Sequence, residues 1–209
     1  MAMHESNLNI RLEAFCDGVF AIAITLLVID IKIPSTTEIR NTSDLWLAIK
    51  HTIPSVLAFL LSFAVILITW VNHHNNLRLI NKSNISFLYA NGFLLLTVAF
   101  IPFPTSLLGE YLFTEEASPP VILYNGVLAL QALGWILICG TAIKNGLGKN
   151  EKANVVIRRN GRFGNFAFIL YSLLAVTAIW FPHAVAGITA ITWIFWIIAG
   201  VLSKHIETE

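Results

Sequence analysis

FGNFAFILYSLLAVTAIWFPHAVAGITAITWIFWIIAGVLS, residues 163–203, runs for 41 positions without an Asp, Glu, Lys or Arg. A helix rises about 1.5 Å per residue and a bilayer core is about 30 Å thick, so about 20 apolar residues cross it. This stretch is too long for one crossing and long enough for two. Trp180-Phe181-Pro182-His183 in its middle supplies a turn with interfacial aromatics, which predicts spans at 163–181 and 184–203. Working back toward the amino terminus, three more charge-free runs of 27 residues each cover 117–143, 83–109 and 51–77. They predict spans at 121–143, at 84–108 (ending at the Pro102 and Pro104 pair) and at 45–71, with Pro54 near its start. Proline in a membrane helix is tolerated where neighbours satisfy the freed carbonyl.

Composition agrees with this reading. Of 209 residues 56% are apolar and 12% charged, against about 25% charged in an average soluble domain. A soluble globule and a disordered chain are excluded. The net charge of +1 provides no basic excess for a polyanion, so no nucleic-acid partner is expected. Cys16 and Cys139 stand alone in apolar surroundings, which indicates buried small hydrophobes rather than a disulfide framework or a metal site.

The first apolar run is the shortest. Twelve uncharged residues, 18–29, lie between Asp17 and Asp30. That is the length of a signal-peptide core, but Asp17 sits where such a peptide prefers positive charge, and 31–34 lacks a small-residue cleavage site. A retained span over 12–31 is the expectation. The total is six spans in one all-α membrane domain, 1–209, without a Gly- or Ser-rich linker or a tandem repeat. Segment 144–162 carries Lys144, Lys149, Lys152, Arg158, Arg159 and Arg162 against Glu151; the turn 72–82 carries Arg78 and Lys82; and 109–120 carries Glu110, Glu115 and Glu116 with no base. By the positive-inside rule both basic turns and both termini are cytoplasmic.

In this topology polar groups of three helices meet at one depth: Arg11, Glu13 and Asp17 on the first, Trp70, His73 and His74 on the second, and Asn91 on the third. Charges there need partners or water, and the expected arrangement is a polar clamp fixing the first helix. Adjacent histidines point about 100° apart on a helix, so His73 and His74 do not readily share one ion, and no HxxxH or HExxH spacing exists. No metal site is expected. GxSxG and phosphate-loop motifs are missing, so an enzyme is not expected either, and a TVGYG-type carbonyl filter is also absent.

On the first helix Gly18, Ile22, Thr25 and Ile29 are spaced 4, 3 and 4, one stripe with Leu26 on its flank. Two structures fit that spacing: ordinary helix packing in lipid, or a hydrophobic constriction between two hydrated vestibules. Spacing alone does not separate them.

Residues 11–25, RLEAFCDGVFAIAIT, resemble the signature of the transmembrane protein 175 potassium-channel family, an Arg followed three residues later by Phe-Ser-Asp at the opening of the first helix. Trp70-Val71-Asn72-His73-His74 is similar to the family's second marker. The six-span layout over the whole chain looks like the single-repeat prokaryotic form. That resemblance implies a homotetramer in the prokaryotic plasma (inner) membrane, permeant potassium ions and no cofactor. It makes the first helix the pore lining, with the bottleneck on Ile22, a hydroxyl layer on Thr25, and Leu26 and Ile29 further out. It carries the family's inter-helix network onto Arg11, Phe15, Cys16, Asp17, Trp70, His74 and Asn91. Cys16 departs from the signature's serine, and a thiol is the weaker donor. Asp30 at the outer mouth would concentrate cations unless Lys32 neutralises it. The reading is therefore a passive potassium-selective channel constricted by hydrophobic side chains. The alternative is a secondary transporter or proton pathway using Asp17 and His74.

Overall fold

In a computed structural model the described residues, 2–32, 34–35 and 39–205, form α-helices and no strand. They are α1 (Ala2–Leu26), α2 (Thr42–His51), α3 (Ile53–Leu77), α4 (Ile85–Phe100), α5 (Pro102–Tyr111), α6 (Ser118–Lys144), α7 (Glu151–Thr177) and α8 (Pro182–His205). A 3₁₀ turn, Leu27–Asp30, extends α1. Among the described residues four stretches are long and apolar enough to cross a membrane: Asn9–Asp30, Ile53–Leu77, Ile85–Tyr111 and Ser118–Lys144. The chain is thus an all-α, multi-pass membrane protein.

Helix bounds depart from the predicted spans where proline or an Asn cap acts. The span expected over 45–71 is interrupted at Thr52, whose N–H bonds Ile49 O at 3.1 Å and whose hydroxyl bonds the same carbonyl at 2.8 Å. Pro54 has no N–H to continue the ladder and instead sits in the first turn of α3. The short α2 is therefore a separate helix, capped by Asn41 Oδ1, which accepts from Asp44 N at 2.9 Å, and it buries none of its residues. Pro102 likewise ends α4 and opens α5. Asn84 and Asn150 cap α4 and α7 through Phe87 N and Ala153 N, both at 2.9 Å. At its far end α7 reaches Thr177, but it begins at Glu151, twelve residues before the charge-free stretch. Charged residues are good helix formers, so a helix continues past the membrane boundary that hydropathy marks.

The helices pack around α6, whose most extensive contact is with α7 and then α4; α1 lies against α3 and α4. Small residues permit the closest approaches: a Cβ on Gly134 would sit 3.1 Å from Leu94 Cα, and one on Gly109 would sit 2.8 Å from Ser55 Cα. Side-chain hydrogen bonds add interhelical links. Ser62 joins Thr105 (2.6 Å) and Tyr124 (3.1 Å), tying α3, α5 and α6, and Thr189 donates to Asn125 at 2.9 Å, tying α8 to α6.

Both basic turns lie at one end of the bundle. After α6, Gly146 takes φ +60, Gly146 N bonds Ile143 O and Leu147 N bonds Ala142 O, a Schellman closure that reverses the chain. Gly148 then pairs antiparallel with Ile80, flanked by Asn81 N to Leu147 O (2.8 Å) and Lys149 N to Leu79 O (2.9 Å). At the opposite end Lys32 meets Glu110 at 2.6 Å, and Ser118 donates to Ala178 O at 2.9 Å. The carboxylate of Glu110 holds the exposed Lys32 ammonium above its ordinary pKa. The charge asymmetry read from the sequence therefore corresponds to two distinct ends of the molecule.

Candidate functional site

The helix α1 presents two apolar faces. One, formed by Leu12, Cys16, Phe20, Ala23 and Leu27, is buried in the core shared with α3 and α4. Its spacing of 4, 4, 3 and 4 is a helical seam. The other holds Phe15, Gly18, Ile22, Thr25, Leu26 and Ile29, all exposed; Ile22 is 61% and Ile29 70% accessible. A Cβ added to Gly18 meets nothing within 4 Å. Thr25 Oγ1 is turned back along its own helix to Ile22 O at 2.9 Å.

Beside the buried face stands a set of polar contacts. Trp70 Nε1 donates to Asp17 Oδ1 at 2.8 Å, joining α3 to α1. One turn further along α3, His74 Nδ1 meets Glu13 Oε1 at 3.0 Å, a second α1–α3 link that is an ion pair when the ring is protonated. Glu13 and Asp17 are one turn apart on α1, and Trp70 and His74 one turn apart on α3, so the two rungs repeat the helical period. His73, pointing elsewhere, faces α4: its Nε2 lies 2.8 Å from Asn91 Oδ1, and Asn91 Nδ2 donates to Phe87 O at 2.7 Å. With that amide nitrogen committed to Phe87, the ring Nε2 is the donor to Oδ1. Phe20 closes the arrangement, its ring 5.5 Å from that of His73.

The clamp residues that are bonded thus form three pairs. Asp17 and Trp70 bond each other, while His74 bonds Glu13 and Asn91 bonds His73. Arg11 is exposed and makes no hydrogen bond or ion pair among the described residues, and Phe15 points to the open face. Cys16 is fully buried and makes no hydrogen bond among the described residues, so the thiol acts there as a small packing group. Asp17 and His74, the two groups a proton relay would use, share no hydrogen bond. Asp30 is half-buried and has no partner among the described residues, because Lys32 is held by Glu110 instead. Sequence reasoning did not single out Glu13 as the partner of His74, although its position one turn before Asp17 was the available signal. No group of three or more His, Cys, Asp or Glu able to hold a metal occurs among the described residues.

Comparison with known proteins gives this arrangement a context. A family model described as the endosomal/lysosomal potassium channel TMEM175 matches residues 11–102, the segment containing both faces of α1 and both sets of contacts. A potassium channel of Chamaesiphon minutus is 40% identical over 185 residues, covering 87% of this chain and 91% of that protein. One of Streptomyces collinus is 41% identical over 141 residues, covering 65% and 66%. The crystal structure of a lysosomal potassium-selective channel TMEM175 homolog from Chamaesiphon minutus superposes with a TM-score of 0.83 at 34% identity, over 93% of this chain and 98% of that one.

Proposed function

Because the chain belongs to the TMEM175 family, a family of ion channels and not of enzymes, we propose that it is a passive potassium-selective cation channel whose pore is lined by α1. Four copies surround an axis, each turning its open face inward, and Ile22 forms the narrowest ring. The chain is one domain over 1–209 that crosses the prokaryotic plasma membrane six times, the crossings being α1, α3, α4 with α5, α6, the later part of α7, and α8. Both termini and the basic turns lie in the cytoplasm, consistent with the positive-inside rule.

The observation that carries this reading is the pair of unlike faces on α1: one is packed by α3 and α4, and the other, Gly18, Ile22, Thr25 and Ile29, is left exposed by the described residues. A ring of isoleucines excludes water when narrow and admits a partly hydrated ion when it dilates. Thr25 hydroxyls replace water ligands of a weakly hydrated cation. Asp30, without a partner among the described residues, attracts cations toward the outer mouth. The rungs Asp17–Trp70 and Glu13–His74 between α1 and α3, with Cys16 packed in the buried face, hold α1 at a fixed rotation, so that the same side chains always face the axis.

Recording from purified protein in planar bilayers tests the proposal. Wild type is expected to carry potassium in preference to sodium. Ile22→Asn is expected to raise the leak on the order of tenfold, as about 1.4 kcal/mol is removed from a dewetting barrier, and to weaken discrimination between the ions. Unchanged conductance and selectivity in this variant would remove Ile22 as the constriction, and a wild type without cation flux would remove the channel.

A further inference from the structure

Away from α1, a cavity of about 160 Å³, open on one side, lies between α3, α6, α7 and α8. Its polar lining is unusual for membrane depth. Arg159 of α7 and Asn72 and Asn75 of α3 line the part nearest the basic turns, and Gln131 of α6 and Trp193 of α8 line the part further in. Three buried N–H groups in that lining have no hydrogen-bond partner among the described residues: Arg159 Nε, Gln131 Nε2 and Trp193 Nε1. Gln131 as a whole is only 7% exposed, so its amide has little choice but the cavity. No Asp or Glu lines the space, and Arg159 forms no ion pair among the described residues.

A buried unpaired donor costs about 1–3 kcal/mol, and more on a charged group. Three of them around one space, all donors and one cationic, select a ligand rich in acceptor oxygens with negative charge. The remaining walls, Val65, Ile68, Leu128 and Trp196 among them, are apolar, which disfavours a small hydrated anion. Arg159 stands one turn before the charge-free stretch that opens at 163, the level of a lipid headgroup. From these facts together we infer that the cavity seats the phosphate and glycerol ester of an anionic phospholipid. The guanidinium of Arg159 takes the phosphate, Gln131 and Trp193 donate to ester oxygens, and the acyl chains run outward over the apolar wall. The planar fork of Arg suits phosphate better than the point charge of Lys. This site is separate from α1, and it stands whether or not that helix conducts.

The test is lipid retention by the full chain, purified from mixed vesicles of phosphatidylglycerol and phosphatidylcholine and weighed by native mass spectrometry. Wild type is expected to keep phosphatidylglycerol in preference to phosphatidylcholine. Arg159→Gln is expected to weaken that retention about tenfold, the loss of one charge-assisted bidentate contact. Gln131→Leu is expected to weaken it about threefold. Arg158→Gln, an exposed neighbour on the same helix, is expected to stay within about twofold. Should Arg159→Gln not fold, Arg159→Lys replaces it, with a smaller loss that still exceeds that of Arg158→Gln. Equal retention of the two lipids overturns the inference, as does an equal loss from Arg158→Gln and Arg159→Gln. Inorganic phosphate at millimolar concentration is expected to displace nothing; displacement would identify a soluble-anion site and overturn the lipid.

Discussion

The two faces of α1 are alike in composition and opposite in circumstance. Leu12, Cys16, Phe20, Ala23 and Leu27 are packed by the chain's own helices, whereas Phe15, Ile22, Leu26 and Ile29, no less apolar, are left largely exposed. In water such an open stripe would be a liability by its area alone. In a bilayer it is not, because lipid tails are as apolar as isoleucine, and so the exposed face by itself has no driving force to find a partner. What distinguishes it from an ordinary lipid-facing surface is the company it keeps. A glycine and a threonine interrupt it, a carboxylate lies beyond each end of it, and the opposite face is fixed in rotation by two rungs to α3. A helix that merely fills space does not need its angle defined so closely.

The sharpest way to break that contrast is truncation on each side. Phe20→Ala removes a ring that is 1% exposed, and it should cost about 3 kcal/mol, the lower part of the range for Phe→Ala, since the unfolded helix in a micelle also solvates the phenyl group. Ile22→Ala should stay within about 0.5 kcal/mol for the subunit. Denaturation of the purified protein by SDS titration measures both. Comparable losses would mean that the open face is packed after all and that the contrast is false.

A smaller effect tests the rungs. Trp70→Phe takes the N–H from the half-buried Asp17 and should destabilise by about 1–2 kcal/mol, the penalty for a desolvated carboxylate left without its donor. Asp17→Asn keeps an acceptor oxygen and should cost less. A double-mutant cycle between the two positions should return a coupling of about 1 kcal/mol. Zero coupling would leave the hydrogen bond as geometry without energetic weight, and the fixed rotation of α1 would need another cause.

Much of this was legible in the sequence, and the reasons differ by feature. Charge-free length identified a membrane chain because lipid tolerates few charges at depth. The stripe on α1 followed from spacing, since the helical period is the same in any environment. Helix ends were less legible. Residues outside the bilayer are under no hydropathic constraint, so α1 begins at Ala2 and α7 at Glu151, well before their apolar runs, and the interruption at Thr52 depends on where Pro54 can lie in a first turn. The clamp was legible as a cluster but not as a set of pairs. That His73 and His74 diverge is a property of any helix; that His74 closes on Glu13 and His73 on Asn91 depends on the rotation of three helices about their axes, which no single segment encodes. The lining around Arg159 and Gln131 was invisible for the same reason, as its members come from four helices.

The finest test lies within the open face itself. Thr25→Val keeps the β-branched shape and removes one oxygen, which hydrogen-bonds Ile22 O in the same helix. Its neighbours in the chain do not pack on it, and the backbone carbonyl retains its helical role, so subunit stability should change by less than about 0.5 kcal/mol. If Thr25 supplies an oxygen to a partly dehydrated cation, its loss removes one modest polar contact of about 0.6 kcal/mol, and the potassium-to-sodium permeability ratio in bilayers should fall about threefold. The two measurements have to be taken together. A variant that loses stability while keeping its permeability ratio would show the hydroxyl serving the helix that carries it, and the open face would then be apolar surface with no part in discriminating ions.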